Sequence, residues 1–208
     1  MILFRKPFNK YLELFPASSS RRNKDMLMPA MAFAITIAQV SKIMPRHNAN
    51  RLELYLPFIQ TAMHEFEINT PNRAAAFLAQ LAHESGEFLY MEELADGSAY
   101  EGRKDLGNIN PGDGRKFKGR GPIQLTGRAN YREFGKLLGL DLENYPELAS
   151  KPEVGFRIAA CFWKKRGLNQ LADEEDFHTL TRKLNGGLNG IEKRLKYYKV
   201  AMEVLNEA

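Results

Sequence analysis

The chain has 208 residues, 44% hydrophobic and 26% charged, which is the balance of a globular protein with one substantial domain or two small lobes. A formal net charge of +5 favours polyanionic partners, and nucleic acid, an anionic membrane and a phosphate-bearing bacterial envelope all meet that condition. The single cysteine, Cys161, excludes an internal disulfide framework and a cysteine-based zinc site, and its apolar neighbours predict a buried structural thiol.

The N-terminal segment, residues 1–33, is predicted to be a loosely ordered extension of the domain. Its end overlaps an apolar stretch, Met26–Val40, that follows arginine and lysine residues as a signal or anchor segment does. Pro29 and Gln39 interrupt this stretch, and a bilayer span needs about 20 apolar residues. We therefore expect no clear signal peptide, while a membrane-active or export role for the extension stays open.

Three helices are predicted in the first part of the domain. Apolar residues at helical spacing indicate one helix over residues 34–44 and a second within Asn50–Glu67, broken or kinked at Pro57. Thr70 is an N-cap residue followed by proline at the first helical position. The helix that Thr70 opens should end at Gly86, because glycine readily adopts the left-handed conformation of a C-terminal cap.

Residues 87–126 interrupt the helical pattern. Gly, Asp, Asn, Pro and Arg dominate, and only short apolar pieces such as Pro122–Leu125 could form strands. An irregular segment of this length inside a domain is usually a functional loop or a small β-lobe. Helical patterns then return around Phe134, Phe162, Leu184 and Leu195, so the sequence predicts a mainly α domain over residues 34–208.

Glu84 is the first candidate catalytic residue. Phe77, Leu81 and Glu84 share one face of the predicted helix, which places the carboxyl group where the apolar stripe ends. Partial burial and the negative end of the helix dipole both favour the protonated acid, the form that a general acid requires. An exposed glutamate at a fraying helix end is the alternative that spacing alone leaves open.

The irregular segment supplies further carboxylates that could face Glu84 across a sugar. A glycosidase needs such a pair, about 6.5–9.5 Å apart in inverting enzymes and about 5–5.5 Å apart in retaining ones. The candidates are Glu87, Glu92, Glu93, Asp96, Glu101, Asp105 and Asp113. Both separations stay open on the sequence alone.

Other kinds of site fit the sequence less well. His83 and Glu84 begin an HExxH zinc motif, but position 87 is glutamate rather than histidine, so we expect no metal and no cofactor. The glycines of residues 112–121 do not join a strand to a helix, which argues against a nucleotide loop. A basic cluster resembles a nucleic-acid surface, although a cleft facing an anionic wall explains it equally well. That basic cluster comprises Arg115, Lys116, Lys118, Arg120 and Arg128.

Several separate strings resemble glycoside hydrolase family 19, the class I chitinases and related phage and bacterial endolysins. They are AFLAQLAHESGEF at 76–88, AYEGRKDLGN at 99–108, PGDG at 111–114, KGRGPIQLTGRANY at 118–131 and LNGGLNG at 184–190. The similarity runs from about Ala34 to the C-terminus. It implies an α+β lysozyme-like, largely helical fold with a small loop- or β-rich lobe, a central sugar cleft and inverting hydrolysis.

The resemblance also implies roles for individual residues. Glu84 matches the general acid and Glu93 the general base, with Glu101 and Glu92 as alternatives, and Thr126 matches a residue that helps to hold the attacking water. An arginine near Glu93 would keep that carboxylate ionised. The implied substrate-binding residues are His83, Tyr100, Gln124, Asn130, Asn185 and Arg194. Glu87 departs from the pattern, because the family commonly has glycine at this position.

Within this family, endolysin-like cleavage of peptidoglycan is expected ahead of cleavage of chitin. The HESG wording, the lack of disulfides, the compact length and the missing secretion signal resemble the phage and prophage members. The expected protein is a monomer that waits in the host cytoplasm and reaches the periplasmic wall through a holin-type membrane partner. A chitinase, a non-catalytic sugar-binding protein and, less well, a nucleic-acid-binding protein are the alternatives.

Overall fold

The computed structural model describes residues 33–207, so the predicted N-terminal extension lies outside the described residues apart from Phe33. The described part of the chain is mainly helical, as predicted, and none of its helices is both long and apolar enough to cross a bilayer. The α-helices of this part are α1 Ile37–Ile43, α2 Ala49–Glu65, α3 Pro71–Glu84, α4 Asp113–Lys116, α5 Arg128–Leu138, α6 Pro152–Lys165, α7 Leu168–Asp173, α8 Phe177–Asn185 and α9 Ile191–Asn206. Short 3-10 helices occupy Ser98–Tyr100, Lys104–Leu106 and Pro146–Ser150.

Side-chain caps fix where the first three helices begin. Thr36 and Gln39 form a capping box, and α1 is therefore shorter than the predicted 34–44. Asn48 caps α2 with a single side-chain bond, which its Oδ1 accepts from the Arg51 amide. The Thr70 hydroxyl accepts a hydrogen bond from the Arg73 amide at 3.3 Å, which confirms the predicted start of α3.

Helix α2 continues through Pro57, so a break at this proline is wrong, whereas the predicted alternative of a kink stays a prediction. A proline inside a helix removes one backbone hydrogen bond and costs about 3 kcal/mol. Leu52, Tyr55 and Ile59 are buried on either side of it. The burial of these apolar side chains offsets the loss of that hydrogen bond. The sequence pattern shows the proline and the apolar spacing, but not which of the two energies is larger.

The core lies between α3, α6 and the helices that flank them. Helix α3 packs against α9, and α2 packs against α6. Phe77 of α3 meets Trp163 of α6 edge to face, with ring centroids 5.3 Å apart. Cys161 is buried on α6, where burial raises the pKa of its thiol to about 12, so the predicted structural thiol is confirmed.

Of the two outcomes predicted for the middle segment, a functional loop or a small β-lobe, the structure shows the irregular loop. Two isolated antiparallel bridges, Glu92 with Arg120 and Arg120 with Leu125, are the pairing observed there, and Pro122–Leu125 forms no strand. Glycines account for much of this irregularity, because Gly97, Gly107 and Gly121 all have positive φ and turn the chain at short intervals. The segment is an irregular loop region closed by 3-10 turns and the one-turn helix α4.

Candidate active site

Glu84 is the last residue of α3, immediately before a sharp change of direction. Ser85 is the C-cap, Gly86 has φ +59, and the Glu87 amide donates to the Ala82 carbonyl oxygen at 2.8 Å. This is the hydrogen bond of a Schellman cap, and the predicted role of Gly86 is confirmed. The cap directs the chain away from the helix axis directly after Glu84.

The Glu84 side chain is buried, with 0% of its area exposed, and Phe77 and Leu81 on the same helical face are also fully buried. The alternative of an exposed glutamate at a frayed helix end is therefore wrong. Arg194 donates from Nη2 to Glu84 Oε1 and forms an ion pair with it, and the Arg194 side chain is itself only 1% exposed. A buried pair of this kind fixes the position of both side chains.

Arg194 connects three parts of the fold around Glu84. It lies in the first turn of α9, donates from Nη1 to Gln80 Oε1, and donates from Nε to the Asn189 carbonyl at 3.2 Å. The Gln80 amide in turn donates to Thr181 Oγ1 at 2.7 Å. The sequence did not single out Gln80, although a polar residue one turn before Glu84 on an apolar stripe was a visible signal.

Arg194 contacts Glu84, whereas the sequence suggested an arginine beside Glu93. The Glu93 carboxylate is held by two other donors: the Tyr100 hydroxyl reaches Oε1 at 2.8 Å, and the Gly119 amide reaches Oε2 at 3.0 Å. The backbone is fixed too, because the Glu93 amide donates to the Gly119 carbonyl at 2.9 Å. A tyrosine and a backbone amide therefore take the place of the expected arginine.

The other candidate bases serve the loop structure. The Glu101 carboxylate accepts hydrogen bonds from the Gly112 and Gly114 amides at 2.7 and 2.8 Å, which anchors the start of α4. Glu92 pairs with Lys118 at 3.1 Å and Arg120 at 3.3 Å. Of these three glutamates, Glu93 is the one whose carboxylate accepts a hydrogen bond from a tyrosine hydroxyl. Its position is consistent with the predicted base.

His83 precedes Glu84 and packs against the start of α9. Burial and, to a smaller extent, the charge of Arg194 lower the pKa of His83 to about 4, although Glu84 opposes the shift. The imidazole is therefore neutral near pH 7. A Cβ atom on Gly190 would lie 2.4 Å from His83 Cε1, so glycine at this position allows α9 to approach the end of α3 that carries Glu84.

Gln124, Thr126 and Asn130 form one hydrogen-bonded turn. Gln124 has φ +56, and its Nε2 group donates to the carbonyl oxygens of Gly121 at 3.0 Å and Tyr90 at 3.3 Å. Thr126 Oγ1 donates to the Gln124 carbonyl at 2.9 Å, and Asn130 Nδ2 donates to the Thr126 carbonyl at 2.6 Å. These side chains therefore shape the loop. Their polar atoms that are not used in these bonds can form hydrogen bonds with a ligand.

Asn185 differs from these residues. It is the last residue of α8, it is 9% exposed, and its buried Nδ2 group has no hydrogen-bond partner among residues 33–207. A buried donor without an acceptor costs about 1–3 kcal/mol. An acceptor on a bound ligand would remove that cost, which supports the predicted substrate-binding role.

The basic cluster is largely neutralised by neighbouring carboxylates. Arg115 pairs with Asp96 at 3.2 Å, Lys118 and Arg120 with Glu92, and Arg128 with Asp113 and Glu143. Four of its five cations are therefore ion-paired. Such a cluster offers less free positive charge to a polyanion than its sequence indicates.

Known proteins resemble this chain in sequence and in fold. The family model described as chitinase class I matches residues 57–175, more than half of the chain. A glycosyl hydrolase family 19 domain-containing protein of Haemophilus influenzae is 34% identical, over 64% of this chain and 80% of its own length. An endochitinase of Arabidopsis thaliana is 40% identical over 60% of this chain, which spans only 44% of that protein.

The fold similarity extends over most of the domain. The crystal structure of chitinase C from Streptomyces griseus superposes with a TM-score of 0.69 and 26% identity, covering 84% of this chain and 77% of that one. A second bacterial family 19 chitinase also gives a TM-score of 0.69, with 25% identity and 95% of its chain covered. The chain belongs to glycoside hydrolase family 19, the family of the class I chitinases.

Proposed function

We propose that this chain hydrolyses β-1,4 bonds of an N-acetylglucosamine-containing polymer with inversion, using Glu84 as general acid and Glu93 as general base. The observation that carries the proposal is the fixation of two glutamates at opposite ends of one short connection. Eight residues separate Glu84 from Glu93. Each carboxylate is held by partners from another part of the fold, Arg194 for the first and Tyr100 with Gly119 for the second.

Glu84 has the surroundings of a proton donor to a leaving group. Its side chain lies at the C-terminal end of α3, and none of its area is exposed to water. A general acid in this position gives its proton to the leaving-group oxygen of a bound sugar. Arg194 bonds Oε1 and holds the Glu84 side chain in place. Arg194 then stabilises the carboxylate that remains after transfer.

Glu93 has the surroundings of a base. Its two donors, the Tyr100 hydroxyl and the Gly119 amide, orient the carboxylate so that it accepts a proton from a water on the opposite face of the sugar. Thr126 is buried and donates to the Gln124 carbonyl, which leaves its hydroxyl oxygen as an acceptor for that water. The unpartnered Asn185 amide would bind a sugar oxygen.

Peptidoglycan is the substrate that we propose first. The formal net charge of +5 favours a wall that carries phosphate and carboxylate groups. The fold has a single, buried cysteine, so it needs no oxidising compartment. On this proposal the protein is an endolysin that accumulates in the cytoplasm of a bacteriophage host. It reaches the cell wall through the membrane with the help of a holin-type partner, and it acts as a monomer.

Chitin is the second candidate, favoured by the names of the similar proteins. The Arabidopsis relative is named an endochitinase, and the Streptomyces structure is that of a chitinase. Both polymers present β-1,4-linked N-acetylglucosamine to the same pair of carboxylates, so the proposed chemistry is the same for either substrate.

The experiment compares both polymers with the same preparations of enzyme. Wild type, Glu84→Gln and the control Glu92→Gln are incubated with outer-membrane-stripped Gram-negative cells and, separately, with a chitin oligomer, and new reducing ends are counted. We expect reducing ends and clearing of the cells with wild type and the control, and neither with Glu84→Gln. If reducing ends appear with the chitin oligomer alone, chitin rather than peptidoglycan is the substrate. Binding without any release would contradict hydrolysis and leave a sugar-binding protein.

A further inference from the structure

The connection between the two catalytic glutamates has an unusual backbone. Gly86, Glu87 and Phe88 have φ of +59, +63 and +64, so three consecutive residues adopt the left-handed region. Glycine tolerates this conformation, whereas each of the other two residues pays about 1–2 kcal/mol for it. Such a backbone persists only where the surroundings determine it.

Local contacts secure part of this turn. The Ser85 hydroxyl accepts from the Phe88 amide at 2.8 Å, and the Tyr90 amide donates to the Ser85 carbonyl at 3.0 Å. The Phe88 ring is buried edge to face against Phe156, with centroids 5.3 Å apart. These contacts fix Phe88 and Tyr90. They do not involve the side chain of Glu87, which other parts of the chain hold.

Glu87 is held by two distant segments of the chain. Its side chain is 1% exposed and accepts hydrogen bonds from the Arg46 amide at 2.5 Å, Arg46 Nε at 2.8 Å and the Tyr197 hydroxyl at 2.7 Å. Arg46 also donates from Nη2 to Tyr197 at 3.2 Å. Burial by itself would raise the pKa of Glu87, but the bonds from Tyr197 and Arg46 outweigh it and lower that pKa below the usual value.

The same helix holds both Glu84 and Glu87. Arg194 and Tyr197 are three residues apart on α9 and therefore share one face, as neighbours at i and i+3 do. Arg194 contacts Glu84, and Tyr197 contacts Glu87. A shift of the turn relative to α9 would therefore move the acid and the start of the segment that leads to Glu93.

We propose that Glu87, with Arg46 and Tyr197, is a positioning group that holds the turn between Glu84 and Glu93 in the geometry that catalysis requires. This inference rests on the proposed function, because it assumes that these two glutamates react. Glu87 does not touch the reacting atoms and acts through the turn. A glutamate at this position, where the family commonly has glycine, gives the left-handed turn a buried anchor that glycine lacks.

The test measures kcat and KM separately with whichever polymer the wild-type protein cleaves. Glu87→Gln keeps the shape of the side chain and removes its charge, and Tyr197→Phe removes one donor. We expect each variant to lower kcat about tenfold with KM changed less than twofold. The double variant should lose no more than the stronger single variant, because both changes break one network.

Glu67→Gln is the matched control. Glu67 also has a left-handed backbone, φ +59, follows a helix end and pairs with a lysine, Lys164, but its side chain is 63% exposed and lies outside the site. Its kcat should equal that of wild type. The proposal is overturned if Glu87→Gln and Tyr197→Phe retain wild-type kcat, if only KM changes, or if their effects on kcat multiply independently.

The design separates two kinds of failure. An inactive wild-type protein contradicts the proposed function, whereas an active wild type with fully active Glu87→Gln and Tyr197→Phe variants contradicts this inference alone. If Glu87→Gln does not fold, Tyr197→Phe carries the test, because Arg46 still bonds the Glu87 carboxylate in that variant.

Discussion

In the helical frame of α2, α3, α6 and α9, contacts between apolar side chains hold the structure together. Phe77 against Trp163 and Tyr55 against Phe156 are examples, with ring centroids 5.3 and 5.6 Å apart. In the irregular segment, residues 87–127, the structure is held together by side-chain carboxylates and amides that form hydrogen bonds with backbone groups. Glu101 binds two amides of the glycine-rich turn at α4, and Asn108 binds the Tyr100 carbonyl and the Arg128 amide.

The two regions therefore respond to different changes. Apolar packing is non-directional and depends on filled volume, whereas a hydrogen-bonded loop depends on the direction of each bond. Glu84 belongs to the frame and Glu93 to the loop. On the proposed mechanism, catalysis by this pair needs the frame for stability and the loop for alignment, so the two kinds of damage should be separable by experiment.

The largest expected effect comes from removing the proposed base. Glu93→Gln should lower kcat by about 10²–10⁴-fold, the usual contribution of a general base. Glu92→Gln is the neighbouring control and should stay within about threefold of wild type, since Glu92 pairs with Lys118 and Arg120 at the loop surface. Steady-state kinetics check both values. If Glu92→Gln loses activity and Glu93→Gln does not, the general base would be Glu92 instead of Glu93.

Damage to the frame should appear as lost stability with the chemistry preserved. Phe77→Ala removes a fully buried ring and should lower the free energy of unfolding by about 3–5 kcal/mol. Leu54→Ala on α2, where the side chain is 58% exposed, should change it by less than about 0.5 kcal/mol. Chemical denaturation measures both. A Phe77→Ala protein that remains folded in the cold but has lost its kcat would contradict the separation of roles.

Damage to the loop should show the opposite pattern. In Gly119→Ala the added Cβ would lie 2.8 Å from Gln124 Oε1 and 3.1 Å from Glu93 Oε2, and so would displace the carboxylate. We expect kcat to fall about tenfold, equivalent to about 1.4 kcal/mol in the activation barrier. The melting temperature should change little. A large fall in melting temperature with unchanged kcat would show that Gly119 serves folding rather than alignment.

The last expected effect concerns the titration of His83 and appears only at acid pH. Its pKa of about 4 is below the ordinary value of 6.5, so the native state resists protonation and the unfolded state does not. The neutral ring should cost no stability above pH 6.5, and stability should be lost as pH falls from about 6.5 to about 4. Imidazole NMR resonances measured against pH, assigned with His83→Gln, report this directly. A midpoint near 6.5 would contradict the buried site.

Local rules predicted the helical frame well. Thr70 with Pro71 marked the start of α3, Gly86 marked its cap, and the spacing of Phe77, Leu81 and Glu84 predicted a carboxylate at the end of a buried face. These features depend on neighbours within two helical turns. The sequence therefore determines them without knowledge of the rest of the fold.

Contacts between distant segments could not be predicted in the same way. Arg194, which bonds Glu84, and Tyr197, which bonds Glu87, each lie 110 residues further along the chain on α9, and nothing local to them indicates which carboxylate each would meet. The sequence left a loop and a small β-lobe open for the irregular segment, and the structure shows a different, local reason why the loop forms. Its short apolar pieces pack as turns because glycines redirect the chain before a second strand can pair.

The most direct test of the central claim is the configuration of the first product, read by proton NMR before mutarotation. A β-1,4 substrate cleaved by Glu84 as acid and Glu93 as base should release the α-anomer, because water attacks from the opposite face. Glu93→Gln should abolish this signal, and Glu92→Gln should preserve it. Initial release of the β-anomer would contradict the account, since it would require a carboxylate that attacks the sugar directly.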